Sequence, residues 1–132
     1  MNKNTLLVIL FVFSIGMISC QKTIVNPESI IENIKSIDSV KILKGDTSFQ
    51  VTYELWFKQP LDHNNPEAGF FPQKVIYSHK GFDRPMVVVL EGYMLYGTGP
   101  SELCNLLNAN QITVEHRFFD KSKPKDSIPW SH

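Results

Sequence analysis

The sequence has little cysteine and no excess of either charge. Its two cysteines, Cys20 and Cys104, are too few for a small scaffold held together by disulfide bonds. Lys and Arg number 13, as do Asp and Glu, so the chain lacks the basic surplus that binds a phosphate backbone. These counts exclude nucleic acid as an expected partner. If Cys20 carries a lipid, Cys104 has no disulfide partner, and we expect Cys104 to be a small buried apolar residue.

Several short motifs that carry chemistry are also missing. No Cys/His cluster has zinc-site spacing, and Gly97-Thr98-Gly99 is too short for a phosphate-binding loop. The nucleophile elbow G-x-S-x-G of serine hydrolases is absent. Asp62 and His63 are neighbours, which normally cannot adopt the orienting geometry of a catalytic triad, so a turn-stabilising pair is expected. We therefore expect no metal, no cofactor and no complete catalytic machinery in the 132 residues.

The chain also has no apolar run long enough for a transmembrane helix. Leu6 to Met17 is almost continuously apolar, but a bilayer core needs about 20 such residues. A lysine before the run and small residues after it predict a signal peptide over residues 1–19. The sequence Met17-Ile18-Ser19-Cys20 resembles the bacterial lipoprotein box, although Ile18 is larger than usual. We expect an exported protein, lipid-anchored at Cys20 in the bacterial cell envelope, with plain secretion as the alternative.

The first part of the mature chain predicts a short helix and then a β-hairpin. Asn26-Pro27-Glu28 supplies an N-cap, a proline for the first helical position and an acid for the helix dipole. Apolar and polar residues alternate over Ser39–Leu43 and Ser48–Phe57, on either side of the turn signal Gly45-Asp46. Residues 59–66 are rich in turn formers and predict a loop, and Lys74–His79 predicts a third strand.

The following segment predicts a strand, a helix and a second strand. Pro85–Gly92 is a continuous β-branched run between proline and glycine, typical of a strand buried on both faces. Pro100–Leu107 is typical of a helix, and Gln111–His116 of the next strand. A crossover of this kind joins parallel strands. The order predicts an α/β fold whose sheet starts antiparallel and turns parallel.

Ligands of open α/β sheets bind at the carboxyl ends of the parallel strands. Here those ends carry Glu91-Gly92-Tyr93 and Glu115-His116-Arg117. Gly92 lets a ligand approach the backbone, and the N–H groups around Tyr93 could stabilise an oxyanion. The alternative is that Gly92 merely ends a strand.

Glu115, His116 and Arg117 cannot all face one ligand, because successive strand residues point to opposite faces. We expect Arg117 to pair with a carboxylate as a structural clamp. His116 could serve as a base, but it has no nucleophile nearby in the sequence.

A series of motifs from about Ile30 to the last residue resembles the secreted tripeptidyl aminopeptidase family of bacterial serine peptidases, distant relatives of the prolyl carboxypeptidases. The motifs, in order, are Phe57-Lys58-Gln59-Pro60-Leu61-Asp62-His63, Glu91-Gly92-Tyr93, Ala109-Asn110-Gln111 and Glu115-His116-Arg117-Phe118-Phe119, followed by Ser122, Pro124 and Trp130. The resemblance implies an α/β-hydrolase fold with a Ser, Asp and His triad that removes short peptides from free N-termini.

The same resemblance implies that the chain is the N-terminal part of such an enzyme. Residues 20–38 would be the lipidated N-terminus with its helix, and residues 39–132 a partial peptidase domain that stops before the nucleophile elbow. We expect the triad beyond His132, no activity of the chain alone, and peptides as substrates of the complete enzyme. Gly92 and Tyr93 are the oxyanion candidates, and Glu91 is the candidate for the substrate's ammonium group. The alternative function is a non-catalytic surface lipoprotein that serves as a binding module.

Overall fold

The computed structural model describes residues 26–125. The predicted signal peptide, Cys20 and Trp130 lie outside the described residues. In chain order the elements are α1 (Pro27–Ile31), β1 (Ile37–Leu43), β2 (Val51–Pro60), a 3-10 turn (Pro66–Ala68), β3 (Phe70–His79), β4 (Met86–Leu90), α2 (Glu102–Leu107) and β5 (Asn110–Val114). Neither helix of this part of the chain has the length and apolarity needed to cross a membrane.

Helix α1 begins where the sequence predicts. The side-chain oxygen of Asn26 accepts a hydrogen bond from the N–H of Glu28 at 3.1 Å, which satisfies one of the donors that a helix start leaves free. The helix ends after five residues, and Ile37 already belongs to β1. Ile31 is the buried residue of the helix, and it anchors α1 on the sheet.

The five strands form one sheet in the order β1-β2-β3-β5-β4. The pairs β1–β2, β2–β3 and β3–β5 are antiparallel, whereas β4 and β5 are parallel and joined through α2. The predicted α/β fold, whose sheet starts antiparallel and becomes parallel, is therefore confirmed. Strand β3 starts at Phe70, earlier than predicted, because β2 runs on to Pro60 and pairs with it there.

One face of the sheet is apolar and carries α1. Tyr53, Leu55 and Val75 are buried on it together with Ile31, and Tyr77 packs against them. We call this the α1 face. Because α1 is short, an open groove of about 580 Å³ remains beside it, and Met86 on β4 is one of the residues that line this groove. A five-residue helix thus covers only part of this apolar surface.

The opposite face, which we call the α2 face, has its own small core. Val87, Cys104 and Ala109 are buried there against Phe49. Cys104 is a free thiol with no exposed surface, and its Sγ donates to the carbonyl oxygen of Ala109 at 3.2 Å. The prediction that this cysteine is a small buried residue is confirmed.

Strand β4 differs from its prediction on one face. Val87 is buried under α2, but Val88 is 58% exposed and Leu90 76% exposed on the α1 face. The prediction of burial on both faces is therefore wrong for the described residues. The reason is position, because β4 lies at the edge of the sheet and α1 packs over β2 and β3 instead.

Candidate functional site

The carboxyl ends of β4 and β5 lie side by side at one edge of the sheet. Leu90 pairs with Val114 in the parallel register, and the N–H of Glu91 donates to the carbonyl oxygen of Val114 at 3.0 Å. Just beyond, the N–H of His116 donates to the carbonyl oxygen of Tyr93 at 3.1 Å. The fold thus brings together the two polar segments that the sequence places at strand ends.

Three consecutive backbone N–H groups at this edge have no acceptor among residues 26–125. They belong to Gly92, Tyr93 and Met94, all exposed. The flanking N–H groups of Glu91 and Leu95 are both hydrogen-bonded. A Cβ atom placed on Gly92 would meet nothing within 4 Å, so the space beside this backbone is open. Neighbouring free donors with open space in front of them can bind an anion or an oxyanion.

Glu91 lies next to these donors and is half-buried. It lines a small cavity of about 200 Å³ together with Ser101, Gln111 and Thr113 on the α2 face. Neither of the ion pairs within residues 26–125 includes Glu91. Its carboxylate is therefore available to a cationic group in a partly enclosed, polar setting.

Both carboxylate oxygens of Glu115 are used in hydrogen bonds inside the protein. It is completely buried, and its Oε1 accepts a hydrogen bond from the N–H of Leu95 at 3.0 Å. Its Oε2 accepts from the hydroxyl of Ser122 at 2.5 Å. The side chain therefore joins the loop after β4 to the loop after β5.

His116 is exposed and belongs to a small aromatic cluster. Its ring and that of Tyr93 both meet the ring of Phe119 edge to face, each with centroids 5.3 Å apart. Its Nδ1 lies 2.8 Å from the carbonyl oxygen of Arg117. This cluster places aromatic surface beside the free N–H groups.

Arg117 acts as a clamp, but its partner differs from the prediction. Its Nη2 donates to the carbonyl oxygen of Leu61 at 2.8 Å, and its guanidinium lies over the rings of Phe71 and Phe118. Neither ion pair of the described residues includes Arg117, so the predicted carboxylate partner is wrong there. A backbone carbonyl and two ring faces can hold this half-buried guanidinium without a carboxylate, since arginine stacks on aromatic rings. The Nε atom is buried and has no hydrogen-bond partner among residues 26–125.

Two adjacent amides of β5 hold the loops around the site, and sequence reasoning assigned them no role. The side chain of Gln111 accepts from the N–H of Ser101 at 2.8 Å and donates to the carbonyl oxygen of Gly99 at 3.1 Å. Asn110 points to the other face and accepts from the N–H groups of Lys80 and Gly81. Two successive amides at the start of a predicted strand were the available signal, because buried amides require partners.

Asp62 stabilises a turn, as predicted. Its Oδ1 accepts from the N–H of Asn64 at 2.8 Å, and His63 beside it is exposed. The segment lies next to Leu61, which the guanidinium of Arg117 holds. The segment thus contributes to the site by fixing the position of this loop.

Part of the chain is similar in sequence to known proteins. The chain is 40% identical over 77 residues to the prolyl tri/tetrapeptidyl aminopeptidase of Streptomyces mobaraensis, a match that covers 57% of this chain and 16% of that protein. It is 28% identical over 88 residues to the probable serine protease EDA2 of Arabidopsis thaliana, covering 61% of this chain and 18% of the relative. The serine protease vicPb of Bipolaris victoriae is also 28% identical over 88 residues, covering 58% and 16%.

The chain therefore spans less than a fifth of the length of these curated relatives. The model of the PS-10 peptidase S37 family matches residues 27–132, which include all the described strands and helices. The motifs that resemble bacterial tripeptidyl aminopeptidases lie within the same range. The chain belongs to the peptidase S37 family.

Proposed function

We propose that this chain is the N-terminal part of an exported serine aminopeptidase that hydrolyses short peptides from free N-termini. The observation that carries the proposal is the row of free N–H groups at Gly92 and Tyr93, at the carboxyl end of a parallel strand. Acyl transfer by a serine peptidase passes through a tetrahedral intermediate, and such donors stabilise its oxyanion. The nucleophile and its Asp and His partners would come from sequence beyond His132.

Glu91 would bind the ammonium group of the substrate. An enzyme that measures its product from a free N-terminus must pair that positive charge, and a half-buried carboxylate two residues from Tyr93 is suited to this. The aromatic cluster of Tyr93, His116 and Phe119 would exclude water from the same region. Exclusion of water strengthens both the charge pair and the oxyanion contacts.

Export would place this chemistry outside the cytoplasm. The apolar run before Ser19 would direct the chain to the membrane, and a lipidated Cys20 would hold it there. Peptides in the surroundings of the cell would then be the substrates. Plain secretion, the alternative for the same leader, leaves the reaction unchanged.

Sequencing the gene past the codon of His132 tests the proposal first. We expect a G-x-S-x-G elbow followed by an aspartate and a histidine. The protein from the complete reading frame should react with a fluorophosphonate probe and cleave peptides with a free N-terminus, but not their N-acetylated counterparts. The 132-residue chain should not react with the probe, because it has no elbow serine. An unrelated gene after His132 would contradict the proposal and favour a non-catalytic binding module.

A Glu91→Gln variant of the complete protein tests the ammonium contact separately. We expect a KM at least about tenfold higher for free peptides, because a charged pair loses one partner. Glu102→Gln, on the exposed start of α2, is the matched control and should leave KM unchanged. An unchanged KM in Glu91→Gln would assign this role to another residue.

A further inference from the structure

A buried carboxyl group connects three segments of the chain next to the free N–H groups. Glu115 accepts from the N–H of Leu95 at 3.0 Å and from the hydroxyl of Ser122 at 2.5 Å. Ser122 is also completely buried, and its Oγ accepts from the N–H of Lys74 in β3 at 2.9 Å. We call these three hydrogen bonds the Glu115 strut. The strut fixes the loops after β4 and β5 to the middle of the sheet.

The chemistry of the strut makes it stiff. Both oxygens of Glu115 accept a hydrogen bond, and the two ion pairs within residues 26–125 do not include this residue. A buried carboxylate without a cation depends on its neutral donors, because water cannot replace them. Hydrogen bonds between buried groups are also stronger than those in water, because the surrounding dielectric is low. The N–H of Leu95 is therefore held firmly in place.

The bond from Leu95 in the Glu115 strut is one of three hydrogen bonds that hold the segment around the free N–H groups of Gly92, Tyr93 and Met94. The N–H of Glu91 is bound to Val114, the carbonyl of Tyr93 to His116, and the N–H of Leu95 to Glu115. The three free donors lie between the first and the last of these bonds. Without the bond at Leu95, the next hydrogen bond that holds this loop on the C-terminal side of the free donors, among the described residues, would be the one from Gln111 to the carbonyl oxygen of Gly99.

We propose that Glu115 is a positioning residue that aligns the N–H groups of Gly92 and Tyr93 for the oxyanion, an inference that rests on the function proposed above. Oxyanion stabilisation depends on donors that are already in place when charge develops, and a displacement of about half an ångström weakens it. Glu115 would act through Leu95 and never touch the substrate. Ser122 would share this role, because it holds the second oxygen of Glu115 against β3.

The test uses the protein from the complete reading frame and four variants. In Glu115→Ala and Ser122→Ala we expect kcat to fall about tenfold or more, with KM within about threefold of the wild-type value, because the loss appears in the transition state. In Glu115→Gln the amide oxygen can still accept from Leu95, so most of kcat should return. Ser78→Ala is the matched control, since Ser78 is a buried serine of β3 outside the strut, and it should keep the wild-type kcat.

Amide hydrogen exchange supplies a second measurement that does not need activity. The N–H of Leu95 should exchange about tenfold faster in Ser122→Ala and Glu115→Ala than in the wild type or in Ser78→Ala. An active wild type whose Glu115→Ala and Ser122→Ala variants keep kcat within about twofold would overturn the positioning role. If Glu115→Ala does not fold, the kcat of Ser122→Ala compared with that of Glu115→Gln tests the positioning role. A folded wild type without peptidase activity would instead refute the proposed function.

Discussion

The hydroxyl of Tyr77 lies 2.7 Å from Nδ1 of His79, two residues further along β3. Both side chains line the groove on the α1 face, and the ring of Phe82 packs on His79 with centroids 4.7 Å apart. Burial lowers the pKa of His79 below its usual 6.5 and raises the pKa of Tyr77 above its usual 10.0. The folded protein therefore favours a neutral pair at neutral pH.

This pair predicts that mild acid destabilises the protein. The folded pKa of His79 is lower than the unfolded one, so its contribution is fully present above about pH 6.5 and is lost as the pH falls toward the folded pKa. In that window the unfolded chain binds a proton that the folded chain does not. Thermal midpoints of the complete protein at pH 7.5, 6.0 and 5.5 measure the loss. The variant His79→Gln should show a smaller fall of the thermal midpoint between pH 7.5 and 5.5. The variant His63→Gln, at an exposed position, should show the same fall as the wild type. An equal loss in His79→Gln would rule out this assignment.

The second prediction concerns the open edge of β4. We expect the polypeptide of residues 21–132 alone to associate, because Val88 and Leu90 expose apolar surface beside an unpaired strand edge. Val88→Lys should reduce association, measured as light scattering at equal concentration. Leu106→Lys changes an equally apolar residue, 81% exposed on α2, and should have less effect. A stable monomer that Val88→Lys leaves unchanged would contradict this prediction.

The third prediction concerns the clamp. Arg117→Lys should lower the free energy of unfolding of the complete protein by about 1–2 kcal/mol, because an ammonium cannot stack between Phe71 and Phe118 while bonding to Leu61. Urea denaturation followed by tryptophan fluorescence measures this change. Arg84→Lys, an exposed arginine paired only to exposed Asp83, should stay within about 0.5 kcal/mol. Equal effects of the two substitutions would show that stacking contributes nothing.

The fourth prediction concerns anchoring. Cells fed an alkyne-tagged fatty acid should incorporate the label into the wild-type protein and lose it in Cys20→Ser, because acylation requires that thiol. Cys104→Ser is the control, since this cysteine is buried and bonded to Ala109 and should leave the label unchanged. Label retained in Cys20→Ser would refute lipidation there. Protein recovered unlabelled from the medium would indicate plain secretion.

Sequence predicted the parts of this fold that depend on neighbouring residues. The cap at Asn26, the hairpin around Gly45 and the crossover through α2 depend on turn formers and on periodicity within a few residues. The start of β3 at Phe70 was missed, because its pairing with Pro60 across the intervening loop extends the strand. Exposure of Val88 was also missed, since a strand's own residues do not indicate what covers it.

The candidate site residues likewise divide into those that local sequence indicates and those that depend on distant contacts. Glu91, Gly92 and Tyr93 are candidates from the sequence because ligands of α/β sheets bind at strand ends. The bond from Lys74 to Ser122 joins residues 48 positions apart, and the bond from Arg117 to Leu61 joins residues 56 apart. Hydrogen-bond partners so far apart in sequence are brought together only by the tertiary fold. The residue pattern of a single segment therefore does not predict them.

The order of the strands also determines the order in which they can form during synthesis. Strands β1, β2 and β3 each pair with a neighbour in sequence, so this meander can form once His79 has left the ribosome. Strand β4 appears next but does not pair with β3, because β5 lies between them. About 25 further residues must be synthesised before β5, the partner strand of β4, is available. A nascent chain paused in this interval exposes the uncharged, valine-rich segment of β4, which is prone to aggregation, and chaperone binding there would protect it.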